Sequence, residues 1–111
     1  MRFEFGKNWK NFLSNLDNTK IVEAEKSLMD KLKLENLKGC NFLDIGCGSG
    51  LFSLAAKNLG AKVTSFDFDI DAVDCAKLLK EKYYKNDLDW KIMQGSVLDK
   101  NFLRDLGNYN I

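Results

Sequence analysis

From Asn41 the chain reads Asn41-Phe42-Leu43-Asp44-Ile45, then Gly46-Cys47-Gly48-Ser49-Gly50, then a helical stretch from Leu51 to Leu59. A short, largely apolar run followed by three alternate glycines and an amphipathic run has few solutions. It is a strand that enters a tight turn and opens directly into a helix. Glycine permits the sharp turn and lets backbone come close to a ligand. Gly60 then stands where a helix stop is expected.

The same alternation continues downstream. Lys62 to Phe66 is β-branched and alternating, and predicts a second strand. Asp69 to Tyr83 predicts a helix, with Asp69, Asp71 and Asp74 early and Lys80, Lys82 and Lys85 late or just beyond, matching the helix dipole. Trp90 to Gln94 is a third strand, Asp99 to Leu106 a short helix stopped by Gly107, and Tyr109 to Ile111 the start of a fourth strand. Strands alternating with helices build right-handed βαβ units on a parallel sheet. The expected fold class is α/β, a Rossmann-like parallel sheet with helices on both faces, truncated after about three strands. The first strand should lie mid-sheet, between the second and the one beginning at Tyr109. An open edge there would make the chain marginally stable, prone to self-association or in need of a second chain.

The first 36 residues read as helical. Phe5, Trp9, Phe12, Leu13 and Leu16 form one apolar stripe, with Trp9 an outside candidate for a lid over a ligand. After Asp17-Asn18-Thr19, with Thr19 or Asn18 as cap, Ile21, Ala24, Leu28 and Leu32 form another. Residues 1–36 are thus expected as a helical cover, and 37–111 as a partial Rossmann-like domain.

Composition removes several function classes. There is no histidine, so Ser-His-Asp or Cys-His nucleophilic sites cannot be built from this chain. The net charge of +1, with lysines interleaved among acids, gives no electrostatic case for nucleic acid or a membrane surface. No apolar run approaches the ~20 residues of a membrane span. Cys40, Cys47 and Cys75 lack metal-ligand spacing, which predicts a reducing cytoplasm and no metal site. Asp67-Phe68-Asp69-Ile70-Asp71 begins like a calcium loop, but Ala72 and Leu78 stand where glycine and glutamate are required.

In a parallel α/β sheet, ligands bind at the carboxyl ends of the strands, where this glycine loop falls. Asp67 ends the second strand and can accept hydrogen bonds from both hydroxyls of a ribose. Asp44 precedes the loop; a carboxylate there repels a pyrophosphate and attracts an ammonium group. Leu51 also breaks the dinucleotide pattern G-x-G-x-x-G. The site suits a nucleoside with a cationic amino-acid tail, S-adenosylmethionine rather than NAD.

Leu43 to Gly50 resembles the signature loop of class I S-adenosylmethionine-dependent methyltransferases. Val63 to Asp67 resembles that family's second strand with its acidic end, and Gln94-Gly95-Ser96-Val97-Leu98-Asp99 the segment after the third. The resemblance runs from about Gly39 to Asp99. It implies that Asp44 helps hold the methionine ammonium, and that Gly46, Cys47, Gly48 and Gly50 line the methionine tail and sugar. It implies too that Asp67 binds the ribose, Phe68 lies against the adenine, and Ser96 and Val97 border the adenine edge. Many relatives carry an acid where Ser96 stands.

The expected function is the cofactor-binding part of a methyltransferase acting on a small-molecule acceptor. The complete protein would be the enzyme, this chain alone inactive, and no residue of it is singled out as catalytic. Cys47 is not read as a nucleophile, because no base stands beside it. The alternatives are a non-catalytic fragment or half of a split enzyme, and a nicotinamide- or flavin-binding oxidoreductase.

Overall fold

The computed structural model describes residues 11–107 and residue 109. Three parallel strands, β1 (Asn41–Ile45), β2 (Lys62–Asp67) and β3 (Trp90–Gln94), form one sheet in the order β1-β2-β3. Residues 11–15 are helical, followed by α1 (Asn18–Leu32). Then α2 (Leu51–Asn58), α3 (Ile70–Tyr83) and α4 (Lys100–Asp105) alternate with the strands. None of these helices is long and apolar enough to cross a membrane.

Register decides what each face of the sheet carries. Phe42 lies beside Val63 and Val63 beside Trp90, so these three side chains share a face. Asp44, Ser65 and Ile92 follow two positions on. The apolar part packs with Leu54, Ala55 and Ala56 of α2 and Leu79 of α3 in one core. Alanines suit that layer because they let helix and sheet backbones approach. Helix α1 adds Ile21, Ala24 and Leu28 to the same core and lies against α2. Each large side chain fully buried there, Leu54 or Trp90, contributes about 1.5–3 kcal/mol or more through lost apolar exposure. The opposite face carries Phe66, whose ring meets Phe102 of α4 edge-on at 4.9 Å. Helices therefore cover both faces.

Several local expectations are corrected. The cap of α1 is Asp17, not Asn18 or Thr19: its Oδ1 accepts the Lys20 N–H at 3.0 Å, three residues on, as a helix cap does. The helix ends at Leu32 rather than at 36. Lys33 takes the left-handed conformation, with φ 55°, and the Leu34 N–H turns back to the Met29 carbonyl. Leu37 is then buried, and its N–H donates to the Leu59 carbonyl at 2.8 Å, which ties the connector to the end of α2. Phe12, Leu13 and Leu16 pack against the core as their spacing predicts. Phe5 and Trp9 lie outside the described residues.

Strand β1 was expected mid-sheet. Among the described residues it pairs with β2 alone and forms an edge, with Ile45 half exposed. Tyr109 belongs to no strand, and Asn110 and Ile111, the rest of the expected fourth strand, lie outside the described residues.

Candidate cofactor-binding site

All three glycines of the loop take positive φ, 66° at Gly46, 54° at Gly48 and 86° at Gly50, which is why no other residue type serves well there. The turn is fastened to the end of β2 at two points. The Cys47 N–H donates to the Phe66 carbonyl at 3.0 Å, and the Gly48 N–H to Asp67 Oδ2 at 3.0 Å. The other Asp67 oxygen, Oδ1, accepts the Asp69 N–H at 2.9 Å. A carboxylate has about four lone-pair positions, so each oxygen keeps capacity for an incoming hydroxyl.

The glycines differ in what surrounds them. A Cβ built on Gly46 meets nothing within 4 Å, so this backbone faces open space. One on Gly50 would lie 3.1 Å from the Ala76 Cβ and 3.2 Å from its Cα. Gly50 is buried, and its missing side chain lets α2 start close against α3.

At the carboxyl ends of the strands lies a cavity of about 350 Å³, lined by Gly46, Asp67, Phe68, Ser96 and Val97 together with Ile45, Phe66, Gly95 and Leu98. That volume falls within the ~300–1,000 Å³ of small-molecule sites. Most of these residues are apolar, with the Asp67 carboxylate among them. Phe68 is 77% exposed, a flat ring standing free at the cavity wall. Its carbonyl accepts the Gln94 Nε2–H at 3.1 Å, and the Gly95 N–H donates to the Asp67 carbonyl at 3.1 Å. Ser96 shapes a turn: its Oγ accepts the Leu98 N–H at 3.1 Å. Exposed Val97 and Leu98 follow.

Asp44, Cys47, Gly48 and Gly50 do not line this cavity. Cys47 is buried, and burial pushes its thiol up to about 12, with the Asp44 and Asp67 carboxylates adding to the effect. A thiol held protonated is a packing group, not a nucleophile. Asp44 sits half-buried behind the loop. Burial raises its carboxyl above the usual range; the Ser53 Oγ, donating to Oδ2 at 2.5 Å, pulls it down, and Asp67 pushes it up. Among the described residues no hydrogen bond reaches Asp44 Oδ1.

Two features of the site were missed in the sequence. Gly95 is one: a Cβ there would fall 2.2 Å from the Phe102 ring, so glycine is what admits that ring beneath the cavity floor. Its signal was its place in the Gln94–Asp99 segment, but the cause, a contact with α4, is not local. The other is the serine pair behind Asp44, for which the sequence carried no signal.

Residues 23–103 match the family profile of ribosomal protein L11 methyltransferase (PrmA). The chain belongs to this family. It is thereby a member of the class I S-adenosylmethionine-dependent methyltransferases, as the three motifs implied. It is 45% identical over 64 residues to the ribosomal protein L11 methyltransferase of Campylobacter hominis, a match covering 57% of this chain and 20% of that protein. Against the same-named protein of Thermotoga maritima the identity is 39% over 64 residues, covering 57% of this chain and 23% of the relative. The matched stretch thus spans about a fifth of the length of these curated relatives. A solved S-adenosyl-L-methionine-dependent methyltransferase, described as putative, from Methanococcus maripaludis shares the fold, with a TM-score of 0.63, 20% identity, and coverage of 86% of this chain and 44% of that one.

These relatives correct one expectation. A small-molecule methyl acceptor was read from the sequence, whereas the family and its matching members are named for methylating a ribosomal protein. The matched stretch holds cofactor-type features, which are silent about the acceptor.

Proposed function

We propose that this chain is the cofactor-binding part of a methyltransferase that moves the methyl group of S-adenosylmethionine to a ribosomal protein in the cytoplasm. The observation that carries the reading is the family match over residues 23–103, which contains the glycine loop, Asp67 and the cavity wall together.

The residues present suit the cofactor. Open space over Gly46 and the free face of Phe68 leave room for a sugar and a planar base. In this reading the Asp67 carboxylate accepts the ribose hydroxyls while also accepting the Gly48 N–H that holds the loop. Phe68 and Val97 flank the adenine, and Ser96 borders its edge. Gly46, Cys47, Gly48 and Gly50 carry the methionine tail past the turn through backbone, and Asp44 attracts its ammonium. When bound, the cofactor supplies a methyl group already activated on a sulfonium, so the protein contributes mainly alignment. In this arrangement α1 (Asn18–Leu32) is the helical cover, and the strands from Asn41 to Gln94 with their helices are the α/β unit.

The test is intact-mass measurement of ribosomal proteins from cells with and without the gene. Loss of methyl mass increments from a ribosomal protein supports the proposal. Unchanged masses across the set would overturn the acceptor assignment.

A further inference from the structure

A line of buried polar groups runs from the core to Asp44. The Trp90 indole N–H donates to the Ser65 Oγ at 3.0 Å, the Ser65 and Ser53 hydroxyls lie 2.6 Å apart, and the Ser53 Oγ donates to Asp44 Oδ2 at 2.5 Å. Trp90, Ser65 and Ser53 are at most 1% exposed. They come from β3, β2 and α2.

The direction of the line follows from donor counting. An indole N–H can only donate, and an ionised carboxylate can only accept. Ser53 therefore spends its one proton on Asp44. The Ser65 proton must go to the Ser53 oxygen, and the Ser65 oxygen takes the indole N–H. Every hydroxyl gives once and accepts once. All the dipoles point their positive ends at Asp44, and each bond strengthens the next.

An apolar core would hold Trp90 without this arrangement. Two buried serines cost stability unless fully bonded, and here the line leads from the core to a carboxylate beside the glycine loop. Burial and the nearby Asp67 carboxylate work against the charge on Asp44, the buried Cys47 thiol beside it stays neutral, and the Ser53 hydrogen bond is what opposes them.

We propose that Ser53 and Ser65 are positioning residues that, oriented by Trp90, fix the Asp44 carboxylate and keep it ionised, with Oδ1 directed to the cationic tail of the ligand. This inference rests on the cofactor reading above. It adds that the affinity for an ammonium-bearing nucleoside is set from inside the core. Asp44 is not a catalytic residue in this account, and neither serine touches the ligand.

The experiment follows the Asp44 carboxyl by carbon-13 NMR titration of the unliganded chain, and S-adenosylhomocysteine affinity by calorimetry across the same pH range. Parent, Ser53→Ala and Ser65→Ala are compared, each checked for folding by circular dichroism. Ser53→Ala should raise the Asp44 midpoint and move the acid limb of binding up with it. Ser65→Ala should do the same by less, and the two provide independent readings if either folds poorly. A midpoint raised by one unit reads as about a tenfold affinity loss below both midpoints, closing as pH rises. An Asp44 midpoint that does not move in folded variants overturns the proposal. So does a moved midpoint with an unmoved binding limb, in which case the cofactor site stands and the positioning role falls. If the parent chain binds no S-adenosylhomocysteine while the midpoint moves, the cofactor reading itself has failed.

Discussion

Asp67 Oδ2 accepts the Gly48 N–H at 3.0 Å, so the carboxylate at the end of the second strand also holds the glycine loop in shape. A residue expected only as a ribose clamp has a structural duty as well. Asp67→Ala should weaken S-adenosylhomocysteine by about 1.5–3 kcal/mol, the range for hydrogen bonds to a charged group. It should also lower the urea midpoint, since the Gly48 and Asp69 N–H groups lose their acceptor. Asp67→Asn should fall between parent and alanine in both, because one acceptor oxygen survives. Parent-like binding in both variants would remove Asp67 from the site.

Gly46 and Gly50 should separate binding from folding. Gly46→Ala carries only the left-handed backbone cost, about 1–2 kcal/mol, and places a methyl group in the open space proposed for the ligand. Gly50→Ala adds to that cost a squeeze on Ala76, where overpacking typically costs about 1–3 kcal/mol more. Thermal melts paired with calorimetry check this: Gly50→Ala should lose more stability, Gly46→Ala more affinity per unit of stability lost. The reverse pattern would mean that the ligand lies elsewhere.

Gly95 and Phe102 should behave as one unit. Gly95→Ala must push the Phe102 ring from its place against Phe66, costing about 1–3 kcal/mol. Once the ring is gone the added methyl group has nothing to displace. The double variant Gly95→Ala/Phe102→Ala should therefore be no less stable in urea than Phe102→Ala alone. Full additivity of the two losses would show that the contact does not set the energetics.

Asp44→Asn should raise the stability of the unliganded chain at neutral pH. The folded-state carboxyl is raised above its ordinary value, chiefly by burial. The unfolded chain then releases its proton first as pH rises, and stability falls through the window between the unfolded and folded values. The penalty is complete above the folded value and absent below the unfolded one. Melting temperatures of parent and variant should converge in acid and separate toward neutrality, with the variant higher. A variant less stable at neutral pH would mean that the ionised carboxylate supports the fold.

Much of the fold was legible because its signals are local. The β-branched alternation of Lys62 to Phe66 and the apolar run of Phe42 to Ile45 each read out within a few residues, and both strands form there. The α1 boundaries were missed because Asp17 competes with two neighbouring cap formers, and because Lys33 stops the helix with no glycine to announce it. The glycine loop, Asp67 and Phe68 were read from the sequence as one candidate site; the cavity brings Gly46, Asp67, Phe68, Ser96 and Val97 together and leaves out Asp44, Cys47, Gly48 and Gly50. The Trp90, Ser65 and Ser53 line was invisible for a physical reason: three elements supply it, and only strand register places the groups within bonding distance. The acceptor was misread because a cofactor site has the same chemistry whichever nucleophile receives the methyl group.

The most direct measurement is calorimetric titration of the chain with S-adenosylhomocysteine and, separately, with NAD. The account predicts saturable binding of S-adenosylhomocysteine, weakened in Asp67→Ala, and no measurable heat with NAD at similar concentrations, because the Asp44 carboxylate repels a pyrophosphate and Leu51 breaks the dinucleotide glycine pattern. Tight NAD binding, with S-adenosylhomocysteine inert, would contradict it.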